Sequence, residues 1–153
     1  MIVFELLKED HKKVDELLTK LCATSNRALK AREKDFMQFK KAFFLHKDFE
    51  ENVFYPLLRE NKTTQDLILE SYEEHTVADR LIKALEALPY DDATWGAKIS
   101  VLKEAIAHHV KEEERSLFPQ AKKILSKEDI QQLTQQRATW KIAAKEGEDS
   151  SIL

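Results

Sequence analysis

Apolar residues recur at helical spacing along four long stretches of the chain. In the first, residues 2–23, Val3, Leu7, Val14, Leu18 and Leu21 fall on one stripe. Steps of three and four residues bring side chains to one face of an α-helix, so this stretch reads as an amphipathic helix. The second stretch, 33–60, carries Phe36, Phe39, Phe43 and Val53 in the same way. The third, 64–88, carries Ile68, Tyr72, Ala78, Ile82 and Leu85, and the fourth, 92–125, carries Trp95, Ile99, Leu102, Ile106 and Leu117. Polar or proline-containing breaks at 24–26, 61–64 and 89–92 separate them. Short connections between helices of similar length make neighbours antiparallel, which predicts an all-α, up-down-up-down four-helix bundle over residues 1–125. Ser126, with Asp129 three residues on, predicts the capped start of a further short helix over 126–145, packed on or beside the bundle. The polar residues 146–153 read as a disordered tail.

Composition supports this picture. Two glycines and three prolines in 153 residues are too few for a turn-rich sheet protein, and 42% hydrophobic residues suffice for one core. A net charge of -3 offers no electrostatic footing for nucleic acid, so none is expected as a partner. The apolar start Ile2-Val3-Phe4 is broken by Glu5, which predicts neither a signal peptide nor a membrane span. The single cysteine, Cys22, cannot form an internal disulfide, which suits a cytoplasmic location. It is expected to be a small buried hydrophobe.

The polar residues that interrupt the stripes carry the chemistry. His11 falls between Leu7 and Val14, His46 and Glu50 between Phe43 and Val53, His75 between Tyr72 and Ala78, and His109 and Glu113 between Ile106 and Leu117. The chain also repeats itself at an offset of 63 to 64 residues. Asp10-His11 lies over Glu74-His75, His46 and Glu50 over His109 and Glu113, and Tyr55-Pro56 over Phe118-Pro119. Each half is therefore a helical hairpin with one His on its first helix and His-x-x-x-Glu on its second. Pro56 and Pro119 are expected to kink or end their helices, since proline removes a ladder hydrogen bond.

Six ionisable side chains thus point into one core, and a buried carboxylate must be paired or bound to metal. His and Glu four apart share a helix face, with Cβ atoms roughly 5–6 Å apart, so both reach one cluster. Imidazole with carboxylate and no thiolate fits iron or manganese. Taken singly, a His on an apolar stripe is a satisfied core residue and one His-x-x-x-Glu is a surface ion pair. Their joint placement on four helices, twice over, sets the set apart.

The pattern resembles the hemerythrin-like, or HHE cation-binding, family over roughly residues 1–125. That resemblance implies two iron ions joined by an oxo or hydroxo bridge, with His11, His46, His75 and His109 as terminal ligands and Glu50 and Glu113 as bridges. It also implies a small ligand (O2, NO or peroxide) in sensing, detoxification or iron-centre repair, with a redox or protein partner that the sequence does not identify. The oxygen-carrying members have a further His four residues after the third-helix histidine, where this chain has Asp79. Simple oxygen storage is therefore not the expected role. Asp15 and Asp79, one turn after His11 and His75, read as partners of the ligands, extra ligands or solvated charges, and are left out of the site. His108 with Glu112 is a second pair four apart; the stripe and the spacing to Pro119 favour His109 with Glu113.

Other functions fare less well. A ferritin-like di-iron bundle needs Glu-x-x-His, and the residues three before each histidine are Lys8, Phe43, Tyr72, Ala105 and Ile106. A metal-dependent sensor or interaction module without turnover is the alternative reading, and the burial of Trp140 distinguishes a helix that caps the bundle from one offered to a partner. Peroxide disproportionation or nitric-oxide reduction would need open metal positions, but no catalytic acid, cysteine pair or flavin motif selects either.

Overall fold

The computed structural model describes residues 1–141. Its bundle helices are α1 (Val3–Cys22), α2 (Leu29–Phe49), α3 (Gln65–Glu86) and α4 (Trp95–Glu112), followed by α5 (Phe118–Ile124) and α6 (Lys127–Ala138). α1 packs on α2 and α4, and α3 on α4. Side chains close the bundle between α2 and α3, where Lys47 meets Asp79 at 2.8 Å and the Phe43 ring packs on His75. The expected all-α bundle is what the chain forms.

The core is split into two apolar blocks. One holds Leu18, Phe36, Phe39, Ile82, Trp95 and Leu102, and the other holds Phe4, Leu7, Phe49, Phe54, Ile68 and Phe118. Burying each large aliphatic or aromatic side chain contributes about 1.5–3 kcal/mol, so the two blocks together can hold a polar layer between them. The interrupted stripes lie in that layer.

Three boundaries differ from expectation. α2 starts at Leu29 rather than near Glu33. Its first turn carries buried Arg32, which donates to the carbonyls of Thr24 and Tyr90 and lies 4.6 Å over the Trp95 ring. The fourth helix starts at Trp95, because the Asp92 carboxylate accepts from the backbone N–H and hydroxyl of Thr94 in the preceding turn. α6 ends at Ala138 rather than near Lys145. The expected tail at 146–153 lies outside the described residues.

The prolines act differently in the two halves. Each is preceded by a π-helical turn, Glu50–Phe54 and Glu113–Leu117. A proline has no N–H to continue the ordinary ladder, and a widened turn just before it absorbs the mismatch. After Pro56 the chain makes a short 3-10 turn, Tyr55–Leu57, and leaves the helix. At Pro119 the chain continues as α5, so of the two expected outcomes, a kink or an end, that proline does not end its helix. The inserted residue also shifts the stripe: Phe54 and Tyr55 are fully buried, while Val53, expected in the core, is half-buried.

α6 is docked rather than free. Ser126 Oγ accepts from the Asp129 N–H at 3.0 Å and Asp129 returns a bond to the Ser126 N–H, which caps the helix as predicted. Leu133 is buried, and Thr134 Oγ1 accepts the Val3 N–H at 2.9 Å, satisfying a donor at the start of α1. Half-buried Trp140 packs edge-on against Phe49 and donates from Nε1 to Asp48 at 3.0 Å. Trp140 thus caps the bundle. Cys22 is the last residue of α1 and is exposed, contrary to the expected burial, because it falls one step past the stripe that ends at Leu21.

Candidate metal centre

The sequence-predicted residues His11, His46, Glu50, His75, His109 and Glu113 meet in the polar layer, each at most 5% exposed. α1 supplies His11, α2 His46, α3 His75 and α4 His109, while the first residue of each π turn supplies Glu50 or Glu113. Two overlapping donor groups result, one of His11, His46, Glu50 and Glu113 and one of Glu50, His75 and His109, with the donor atoms of each group within 4.8 Å of one another.

Both carboxylates reach across the halves. Glu50 Oε1 lies 3.1 Å from His46 Nε2 and 3.2 Å from His75 Nε2. Glu113 places Oε1 3.0 Å from His11 Nε2 and Oε2 3.4 Å from His109 Nε2. The His75 and His109 Nε2 atoms are 3.2 Å apart. His46 Nε2 and Glu50 Oε2 are fully buried yet take part in no hydrogen bond among the described residues. Buried polar atoms left in this way are costly unless something else satisfies them.

Each imidazole is fixed from behind. With Nδ1 protonated, His11 donates to Glu114 at 2.7 Å, His46 to Asp10 at 2.9 Å, His75 to Glu51 at 2.7 Å and His109 to Glu74 at 2.7 Å. This selects the tautomer that turns every Nε2 toward the centre, the arrangement metal-binding histidines use. These four carboxylates obey the internal repeat. Asp10 and Glu74 precede the first-helix histidines, and Glu51 and Glu114 follow the inward glutamates.

The rings are also stacked alike, Tyr55 on His75 and Phe118 on His11. Here the repeat is broken chemically. The buried Tyr55 hydroxyl donates to Glu50 Oε1 at 2.9 Å and approaches Glu113 Oε2, whereas Phe118 has no hydroxyl to offer. Burial, reinforced by the charges of Glu113 and Glu50, pushes the Tyr55 phenol well above its ordinary range and keeps it a neutral donor.

Charge in the layer is strongly coupled. Burial opposes a charged His46, but the Glu50 carboxylate and the hydrogen bond to Asp10 outweigh it and push this imidazole up to about 10. Burial likewise opposes charge on His11, and its bonds to Glu113 and Glu114 raise it nonetheless; His109 is raised well above the usual range against burial by Glu113. Burial would raise Glu50, but the positive charge on His46 holds it well below the usual carboxylate range. The layer is built to hold negative carboxylates beside positive charge.

The remaining candidates fall outside it. Asp79 pairs with Lys47, and Asp15, 60% exposed at its side chain, sits 3.9 Å from Lys103. The His108 side chain is 64% exposed and lies 3.4 Å from Glu74, on an outer face shared with Glu70 and Glu112. A cavity of about 10 Å³ adjoins the four inward histidines, walled by Val14, Phe43, Ile106 and Val110.

Residues 3–121 match the model of the hemerythrin HHE cation-binding domain. The chain belongs to the hemerythrin HHE family. A crystal structure of a hemerythrin HHE cation-binding domain-containing protein, the Rv2633c homologue from Mycobacterium kansasii, superposes with a TM-score of 0.78 at 21% identity, over 90% of this chain and 83% of that one. At that identity the likeness concerns the fold. A "DNA nickase" from Nostoc sp. is 32% identical over 135 residues, covering 86% of this chain. The match takes in 37% of that longer protein. Among the described residues of this HHE chain, no helix is long and apolar enough to cross a membrane.

Proposed function

We propose that this chain is a cytoplasmic non-haem di-iron protein that binds O2, NO or peroxide at its metal centre, in sensing, detoxification or iron-centre repair. The observation that carries this reading is the pair of donor groups joined through Glu50, with Glu113 spanning the halves. His11, His46, His75 and His109 would hold the ions at the ends, and Glu50 and Glu113 would bridge them. Metal ions would place positive charge beside these carboxylates and would satisfy His46 Nε2 and Glu50 Oε2.

Iron in this setting supplies redox chemistry and open coordination positions for a small ligand. The protein's own part is to orient and to exclude. Four carboxylates hold the imidazoles, the Tyr55 hydroxyl donates to the Glu50 carboxylate, and the apolar blocks flank the layer on both sides. The cavity beside the histidines is about the size of one water molecule, which suits a small ligand.

The nicking of DNA named for the longer relative is not carried over. This chain's net charge of -3 gives it no cationic footing on a phosphate backbone, and the shared segment is a minor part of that protein.

The optical spectrum of anaerobically purified, iron-replete protein tests the reading. Admission of air, azide or nitric oxide should each change the bands of a coupled iron pair. A spectrum indifferent to all three would contradict ligand binding at the centre.

A further inference from the structure

The four hydrogen bonds behind the histidines are alike in length, but their carboxylates are not alike in surroundings. Glu51, Glu74 and Glu114 have side chains 29%, 18% and 32% exposed, and among the described residues no arginine or lysine lies within ion-pair distance of them, although the Lys8 charge acts on Glu114 from farther off. Besides His109, Glu74 meets the exposed His108. Asp10 differs. Arg137, from the last turn of α6, donates Nε–H to Asp10 Oδ2 at 2.9 Å and a second N–H to Oδ1. Both partners are 15% exposed, and Asp10 Oδ2 also accepts the His46 Nδ1–H.

A two-pronged guanidinium–carboxylate contact fixes the plane of the carboxylate as well as its position. The arm that delivers it is itself held, by buried Leu133, by Thr134 on the Val3 N–H and by Trp140 on Phe49. α6 lies beyond the internal repeat: the residue aligned with Asp10 is Glu74, and among the described residues no arginine or lysine pairs with it. Without Arg137, a partly exposed Asp10 can regain hydration by turning outward. His46 would then lose the bond that orients it.

We propose that Arg137 is a positioning residue that makes the two metal positions unequal, locking Asp10 and through it His46, so that the ion held by His11 and His46 is retained more tightly than the ion held by His75 and His109. The inference rests on the di-iron reading above. Loss of a carboxylate partner behind a metal-binding histidine typically weakens binding 10- to 100-fold. The effect here should fall on one ion of the two.

The test is release of iron(II) from the loaded full-length chain, under anaerobic conditions, to an excess of a ferrous chelator followed by stopped flow. The wild type should lose its two ions in two phases of equal amplitude. Arg137→Met should speed the slower phase by roughly tenfold and leave the other unchanged. Arg137→Lys, which keeps the charge but not the two-pronged contact, should restore only part of the difference, and the double variant with Asp10→Asn should release iron no faster than Asp10→Asn alone. Gln136→Ala, an exposed change on the same helix that touches neither Asp10 nor the contacts that dock α6, should leave both phases near their wild-type rates. Equal acceleration of both phases, unchanged phases in Arg137→Met, additive rates in the double variant, or a Gln136→Ala profile that copies Arg137→Met would each overturn the proposal. A wild-type chain that takes up fewer than two ions would instead overturn the di-iron reading beneath it.

Discussion

Replacing Glu50 with alanine is expected to lower iron occupancy at both metal positions together, and Glu113→Ala is expected to do the same. Glu50 faces His46 and His75 with one oxygen, and Glu113 faces His11 with one oxygen and His109 with the other. Neither belongs to one half of the centre alone. Changing a mere partner of a histidine ligand costs 10- to 100-fold in affinity, so loss of a bridging carboxylate should exceed about 100-fold. The optical and magnetic signs of coupling between the ions should weaken in step. Glu112→Ala is the matched control: it shares the outer face with Glu70 and His108 and should change occupancy little. Iron titrations of the three variants check this. Full occupancy in Glu113→Ala with loss in Glu112→Ala would move the site to the His108 pair.

Removal of the metal is expected to lower stability strongly and to reverse its dependence on pH. Bound ions at a hundred- to thousandfold excess over their dissociation constant stabilise the fold by about 3–4 kcal/mol. Acid should release them, because protons compete for the imidazoles. The chelated protein should behave in the opposite sense. His46 is raised from 6.5 in the unfolded chain to about 10, and His11 and His109 are raised as well. A group whose folded value lies above its unfolded value contributes fully below the unfolded value. For His46 that contribution is therefore complete below pH 6.5 and is lost as the pH climbs through about 10. Asp10 and Glu50 are held below their ordinary values and weaken the fold only in acid. Denaturant melts of both forms across this range measure the two slopes. An unchanged melting temperature on chelation, or a chelated protein that gains stability from pH 7 to 10, would contradict the account.

Much of this was legible in the chain because the bundle is regular. The helical period put His11, His46, His75 and His109 on core stripes, and the repeat chose His109 over His108. The helical period does not single out the carboxylates behind the histidines, although the repeat displays them: Asp10-His11 over Glu74-His75, and Glu50-Glu51 over Glu113-Glu114. Local spacing points to Asp15 and Asp79, one turn from a histidine on the same helix. An imidazole's outer nitrogen points instead at a neighbouring helix, so its partner depends on how the helices are rotated against each other. The π turns were hidden for a related reason. A proline announces a disturbed ladder but not whether the chain stops, as after Pro56, or continues, as through Pro119. The single extra residue moved Tyr55 to the centre and Val53 toward the rim. Arg137 lies outside the repeat, and its contact with Asp10 spans 127 residues, a separation that no local pattern encodes.

The most direct measurement is the number and kind of metal ions per chain after saturation with iron. Elemental analysis of iron-replete protein, alongside an anaerobic titration with iron(II), should give two iron ions per chain. At most one ion per chain, or zinc in place of iron, would contradict a di-iron centre built from these four histidines and two glutamates.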